Sequence, residues 1–152
     1  MKVEKYHLKS ESKFTRFQFV SEGPKGAIRK LIEFQETTNP QVFNLAFGDY
    51  NPLTDEIDDL AVSNNGDTEK ILGTVVTALY AFFNEFPTVF VYATGSTKAR
   101  TRLYRMGITK FYYQMKKDFY LYGQICDEFP EFEIGIDYEG FIAQRKFKKI
   151  EL

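Results

Sequence analysis

The sequence predicts an α+β domain: a mostly antiparallel twisted sheet carrying two main helices, in the order β-β-β-(β)-α-β-α-β-β. Three observations lead there. The first fifty residues alternate apolar and polar side chains between turn signals, as half-buried strands do. One long apolar-periodic run, from about residue 68 to 86, is closed by Pro87 and reads as a helix. A short apolar run, Val89-Phe90-Val91-Tyr92-Ala93, then feeds a basic helical segment through Thr94-Gly95-Ser96-Thr97. At 152 residues, one domain spanning 1–152 is expected.

The elements follow in order. Val3–Leu8 reads as a short edge strand. Lys13–Ser21 alternates, with Phe17 and Phe19 on the side expected to face the core. Glu22-Gly23-Pro24-Lys25-Gly26 is turn chemistry. Ala27–Gln35 reads as the returning strand of a hairpin, although Ile28, Leu31 and Ile32 also fit a short helix. Val42–Tyr50 is a third strand with Phe43, Leu45 and Phe47 on one face, and Gly48 there admits a bend or a close neighbour. Ile57–Val62 fits a short strand or an irregular crossing.

Asn65 or Asp67 is the expected cap of the long helix, whose face comprises Ile71, Leu72, Val75, Val76, Leu79, Phe82, Phe83 and Phe86. Gly73 inside it costs about 1 kcal/mol against Ala, which points to close backbone packing. The second helix is capped by Ser96 or Thr97 and is expected to run past Gly107 to about Gln114. Asp118–Ile125 and Tyr138–Phe147 complete the sheet, and the strand-helix-strand unit at 88–125 is expected to supply one parallel or mixed pairing.

Composition narrows the function classes. Sixteen Phe and ten Tyr supply a large apolar payload, and 43% hydrophobic with 27% charged residues is the balance of a folded chain. No apolar run approaches the roughly 20 residues of a membrane span. The first residues, MKVEKYHLKSESK, lack the apolar core of a secretory signal, so a cytoplasmic location is expected. A single Cys126 leaves no internal disulfide and no cysteine-rich zinc site. His7 is the only histidine, on an N-terminal segment poorly suited to triad chemistry. No metal site is expected: Asp55, Glu56, Asp58 and Asp59 match no calcium-loop spacing.

The net charge of −1 conceals a segregation. Residues 31–69 hold nine acids and no base, and residues 96–117 hold seven bases and no acid. The two blocks either face each other within the fold or leave a basic surface for phosphate or nucleic acid.

Two helix starts carry the candidate site. Gly95, Ser96 and Thr97 offer backbone N–H groups and hydroxyls at a strand-to-helix turn, with Arg100 in the first turn, a chemistry suited to an anion. Asn64, Asn65, Gly66 and Asp67 open the other helix, and the two starts would flank one cleft if they lie on the same sheet edge. Lys98, Arg102 and Arg105 form a stripe along the second helix, while Arg100 and Tyr104 point away from it. The same features also fit two ordinary caps and a solvated basic face. The leading expectation is a small anionic ligand or partner bound at this cleft, with Arg100 and Arg102 contributing charge.

Two resemblances add to this. SNNGD at 63–67, GST at 95–97, RTRLY at 100–104 and YEGF at 138–141 are similar to a small uncharacterised family of Bacteroidota proteins, over nearly the whole chain. The element order resembles the GNAT acetyltransferases, and Ala99, Arg100, Leu103 and Tyr104, with Gly107-Ile108 beyond, look like the motif of that family's last long helix. That resemblance implies acetyl-CoA as cofactor, Tyr104 as general acid toward the CoA thiolate, and Asn65, Gly66 and Asp67 at the pyrophosphate loop. The family's loop carries more glycine, and an aspartate at its position repels a pyrophosphate. Further expected classes are a nucleic-acid-binding or toxin-like protein using the basic helix, and a homo-oligomer formed through the aromatic 111–122 region.

Overall fold

The computed structural model describes residues 3–58 and 63–147. Eight strands form one sheet in the order β1-β2-β3-β4-β6-β8-β7, with β5 also paired to β4. The strands are β1 (Lys9–Glu11), β2 (Arg16–Gly23), β3 (Gly26–Glu36), β4 (Val42–Asn51), β5 (Glu56–Asp58), β6 (Phe90–Ala93), β7 (Phe119–Gly123) and β8 (Phe141–Arg145). Three helices accompany them: α1 (Thr68–Glu85), α2 (Lys98–Lys110) and α3 (Tyr112–Asp118). The α+β class and the mostly antiparallel sheet agree with the sequence, while five strands precede α1 where three or four are expected and α3 is a helix beyond the expected two. Every pairing is antiparallel except β4 with β6. That parallel pair is joined by the α1 crossover, so it lies between 42–45 and 90–93 and not within the 88–125 unit.

Alternation decides which sheet face α1 covers. Phe17 and Phe19 from β2, Ile32 and Phe34 from β3, and Phe43, Leu45 and Phe47 from β4 are all buried on that face. The α1 side chains meeting them are those of the predicted stripe. Phe82 stacks on Phe34 with ring centroids 4.2 Å apart and meets Phe43 edge-on at 5.1 Å. Each fully buried ring of this kind stabilises by about 1.5–3 kcal/mol.

Four local expectations are corrected. Residues 3–8 form no strand, because their polar groups turn to α1. The Tyr6 amide donates to Thr74 Oγ1 at 2.8 Å, its ring stacks on Phe19, and its hydroxyl donates to Asp67 at 2.6 Å. Second, β2 starts at Arg16 because Lys13 and Phe14 take left-handed backbone angles (φ 56 and 67) in a 3-10 turn. Third, the basic helix breaks at Phe111 (φ −106, ψ 20) and resumes as α3 as far as Asp118. This carries Met115 into the core and lets Asp118 accept from the Tyr80 hydroxyl at 2.6 Å. Fourth, β8 is shorter than 138–147, because Tyr138 folds over Gly123, where a Cβ would lie 2.3 Å from its ring. Of the expected strand at 57–62, residues 57 and 58 belong to β5, and 59–62 lie outside the described residues.

No described helix is long and apolar enough to cross a membrane. Gly73 has the packing role its position implied: a Cβ there would lie 2.1 Å from the Glu4 carbonyl oxygen. Gly73→Ala is therefore expected to destabilise by about 1–3 kcal/mol despite its better helix propensity, because backbone must move. Urea denaturation of the two proteins measures this.

Candidate functional site

The parallel pairing of β4 and β6 lasts four residues, from Val42↔Phe90 to Leu45↔Ala93. Beyond Ala93 the chain leaves the sheet toward α2, while β4 continues to Asn51 and pairs with β5 over its last three residues. Between these points the edge of β4 faces a gap. A cavity of about 590 Å³ opens there. Its floor is the sheet face away from α1, with Arg16, Glu33, Gln35, Asn44 and Ala46. One wall is the β4–β5 turn with Asp55 and Glu56, and the other is Thr94, Gly95, Ser96, Arg100 and Tyr104.

Arg100 spans the gap. Its guanidinium donates to the Phe47 carbonyl at 3.3 Å and to the Asp58 carbonyl at 3.4 Å. Gly48 leaves room for this: a Cβ would sit 2.6 Å from the Ile57 side chain and 3.1 Å from Arg100. On the α1 side of Arg100 a smaller cavity of about 180 Å³ is lined by Lys30, Asp49, Ser63, Thr97 and Leu103. Lys30 is only 4% exposed and is neutralised by Asp49, its cross-strand partner. Its ammonium also donates to Ser63 Oγ at 2.6 Å, so a buried charge is fully accompanied. Ser63, ahead of the loop that leads to α1, and Thr97, the cap of α2, line this smaller cavity together.

Within the α2 start, much of the donor capacity is already used. The Gly95 amide donates to Thr101 Oγ1 at 3.0 Å, and Thr97 Oγ1 accepts from the Arg100 amide at 3.2 Å as the helix cap. A Cβ at Gly95 would lie 2.4 Å from that of Arg100, so only glycine fits. Ser96 is exposed at the cavity rim. Arg102 is exposed and lines neither cavity.

Tyr104 differs from these. It is 8% exposed, lines the large cavity, and its hydroxyl makes no hydrogen bond among the described residues. Burial pushes its phenol well above the ordinary value near 10, and the Arg100 charge pulls the other way. The group is a neutral donor at any physiological pH.

The residues 64–67 are turned elsewhere. Asn65 is buried, donates to Ser21 Oγ and the Gly26 carbonyl, and accepts from the Lys25 amide at 2.8 Å. Asp67 occupies the cap position of α1 without a side-chain cap bond and instead accepts from Tyr6 and Ser21. Asn64 accepts from the Gly66 amide in a local turn, and Gly66 takes a positive φ of 72 beside Pro24. Asn65, Gly66 and Asp67 hold the loop against the β2–β3 hairpin, Asn64 closes a turn within the loop, and none of the four lines either cavity. Among the described residues, no three His, Cys, Asp or Glu converge as a metal site.

The charge blocks meet in places. Lys110 pairs with Glu69, and Arg105 pairs with Asp137 at 2.8 Å from outside the acidic block. Arg16, Glu33, Asn44 and the β4–β5 turn were absent from the sequence-level site. Strand register brings Arg16, Glu33 and Asn44 together on the sheet face that floors the gap.

A model of the family of unknown function DUF6934 matches residues 2–146. The chain belongs to that family. No curated protein and no solved structure matches it. The family match spans the whole gap, both helix starts and Tyr104.

Two outcomes are expected. Asn65→Ala removes three hydrogen bonds from a buried hairpin anchor and should cost about 1–3 kcal/mol in chemical denaturation. For Tyr104 the sign is that of a raised pKa. The neutral phenol is favoured in the folded chain, so its contribution is complete below about pH 10 and is lost as pH rises above that. Stability measured between about pH 9 and 11 should fall less steeply in Tyr104→Phe than in the wild type.

Proposed function

We propose that this domain binds a small ligand in the gap between β4 and β6, with an anionic or carbonyl acceptor group of the ligand against the start of α2. The observation that carries this reading is the Tyr104 hydroxyl. The Tyr104 ring is buried, while its hydroxyl makes no hydrogen bond to a described residue and opens onto the polar cavity, where it is available to a ligand. A neutral phenol held in that state donates, so its complement is an acceptor. Ser96 stands at the same rim, and Arg100, fixed by two backbone carbonyls, supplies positive charge nearby. Asn64, Asn65, Gly66 and Asp67 have no part in this version of the site, since their side chains and turns serve the loop and the hairpin.

A divergent acyltransferase using acetyl-CoA is the second reading. What favours it is the strand order, with one parallel pair that parts after four residues beside a tyrosine on the following helix. In that reading Tyr104 protonates the departing thiolate. Against it, β5 covers the β4 edge at 49–51 and Arg100 takes the Phe47 carbonyl, so an extended pantetheine arm would compete with the chain's own contacts. A nucleic-acid role for the α2 stripe keeps Lys98 and Arg102 exposed but loses Arg105 and Lys110 to ion pairs.

Thermal unfolding with acetate, phosphate, CoA, acetyl-CoA, nucleotides and short oligonucleotides separates these. A ligand at a hundred times its Kd adds about 2.7 kcal/mol when only the native state binds it. The expected result is stabilisation by a small anion or by acetyl-CoA that is weakened at least tenfold in Tyr104→Phe. Stabilisation that is identical in Tyr104→Phe, or that comes only from oligonucleotides and vanishes in salt, overturns the reading.

A further inference from the structure

A further cavity, of about 60 Å³, lies between α1, α2 and the centre of the sheet. It is several times the roughly 10–15 Å³ that admits one water. Its lining is aliphatic and aromatic, including Leu72 and Val76 of α1, Leu103 and Gly107 of α2, and Val91 and Ala143 of the sheet. No charged or amide side chain reaches it, so a water there would find almost no partners. Tyr104 walls it off from the polar cavity.

Gly107 is the informative residue. It is buried within α2, where glycine is costly, and its backbone is not in the left-handed region that would demand glycine. A Cβ there would meet Leu72 at 3.6 Å and Val76 at 3.9 Å, which is ordinary contact. Gly73 and Gly95 are glycine because a Cβ would collide with backbone; Gly107 is not. Alanine would improve the helix and fill part of the void. The void is open at a position where closing it is sterically free. We propose that this apolar cavity is a binding site for a short aliphatic chain, held by dispersion and apolar burial alone, in a site separate from the polar gap.

The test uses the whole chain and dissolved propane as the probe, followed through methyl resonances of the lining Leu, Val and Ile residues. Wild-type protein should show saturable shifts confined to those methyls. Gly107→Ala should unfold a few degrees higher, which shows that the variant is folded, and should bind the probe at least fivefold more weakly. Tyr104→Phe, which keeps the ring, should bind it as the wild type does, so the outcome is independent of the polar gap. Shifts that do not saturate in the wild type, or equal affinity in Gly107→Ala, overturn the proposal.

Discussion

The structure depends on a mismatch of strand lengths. β4 has ten residues, but its parallel neighbour β6 has four. A strand edge left without a partner exposes carbonyl and amide groups that must be satisfied elsewhere. The chain answers in two ways. β5 folds back onto the last three residues of β4, and the Arg100 guanidinium takes the Phe47 carbonyl between them. The polar cavity is the space left between those two solutions. Gly48 belongs to the same arrangement, because any side chain there would displace Ile57 and press on Arg100.

Positioning of the α2 side chains follows. β6 delivers the chain to Gly95, and the turn is tightened by the Gly95 amide and the Thr97 hydroxyl into a capped helix. From that start, Arg100 is carried to the gap and Tyr104, one turn later, is carried beneath it. Arg102 is on the other side and remains in solvent. The same helix then packs Leu103 and Gly107 against α1, which creates the apolar cavity on the far side of the Tyr104 ring. One helix thus borders a polar and an apolar space, separated by a single aromatic side chain. The first holds donors and charges at fixed positions, whereas the second offers only shape.

The loop before α1 shows how the same residue types serve another end. Asn65 and Asp67 have the chemistry of an anion loop or a cap. Both instead secure the β2–β3 hairpin and the N-terminal segment through Ser21 and Tyr6. An aspartate accepting two hydroxyls is well accommodated there, whereas the same charge facing a phosphate would be repelled.

Local pattern alone determined the strands from β2 to β4, the apolar stripe of α1, its end at Pro87 and the strand-turn-helix at 90–98. For these elements a period of two or 3.6, closed by a turn residue or a proline, sets how the apolar side is buried, although at 27–35 the helical spacing of Ile28, Leu31 and Ile32 was ruled out only by pairing with β2 and β4. It also identified Gly73 as a packing position, since an interior helical glycine is costly without one. Three things lay beyond it. The docking of residues 3–8 onto α1 depends on Thr74, which is far along the chain. The break at Phe111 has no proline or glycine to announce it. The site itself is made by register: Arg16, Glu33 and Asn44 become neighbours only when three strands are aligned, and the gap exists only because β6 stops early. Period and propensity act within a few residues, while a cavity is defined by atoms brought together across the sheet.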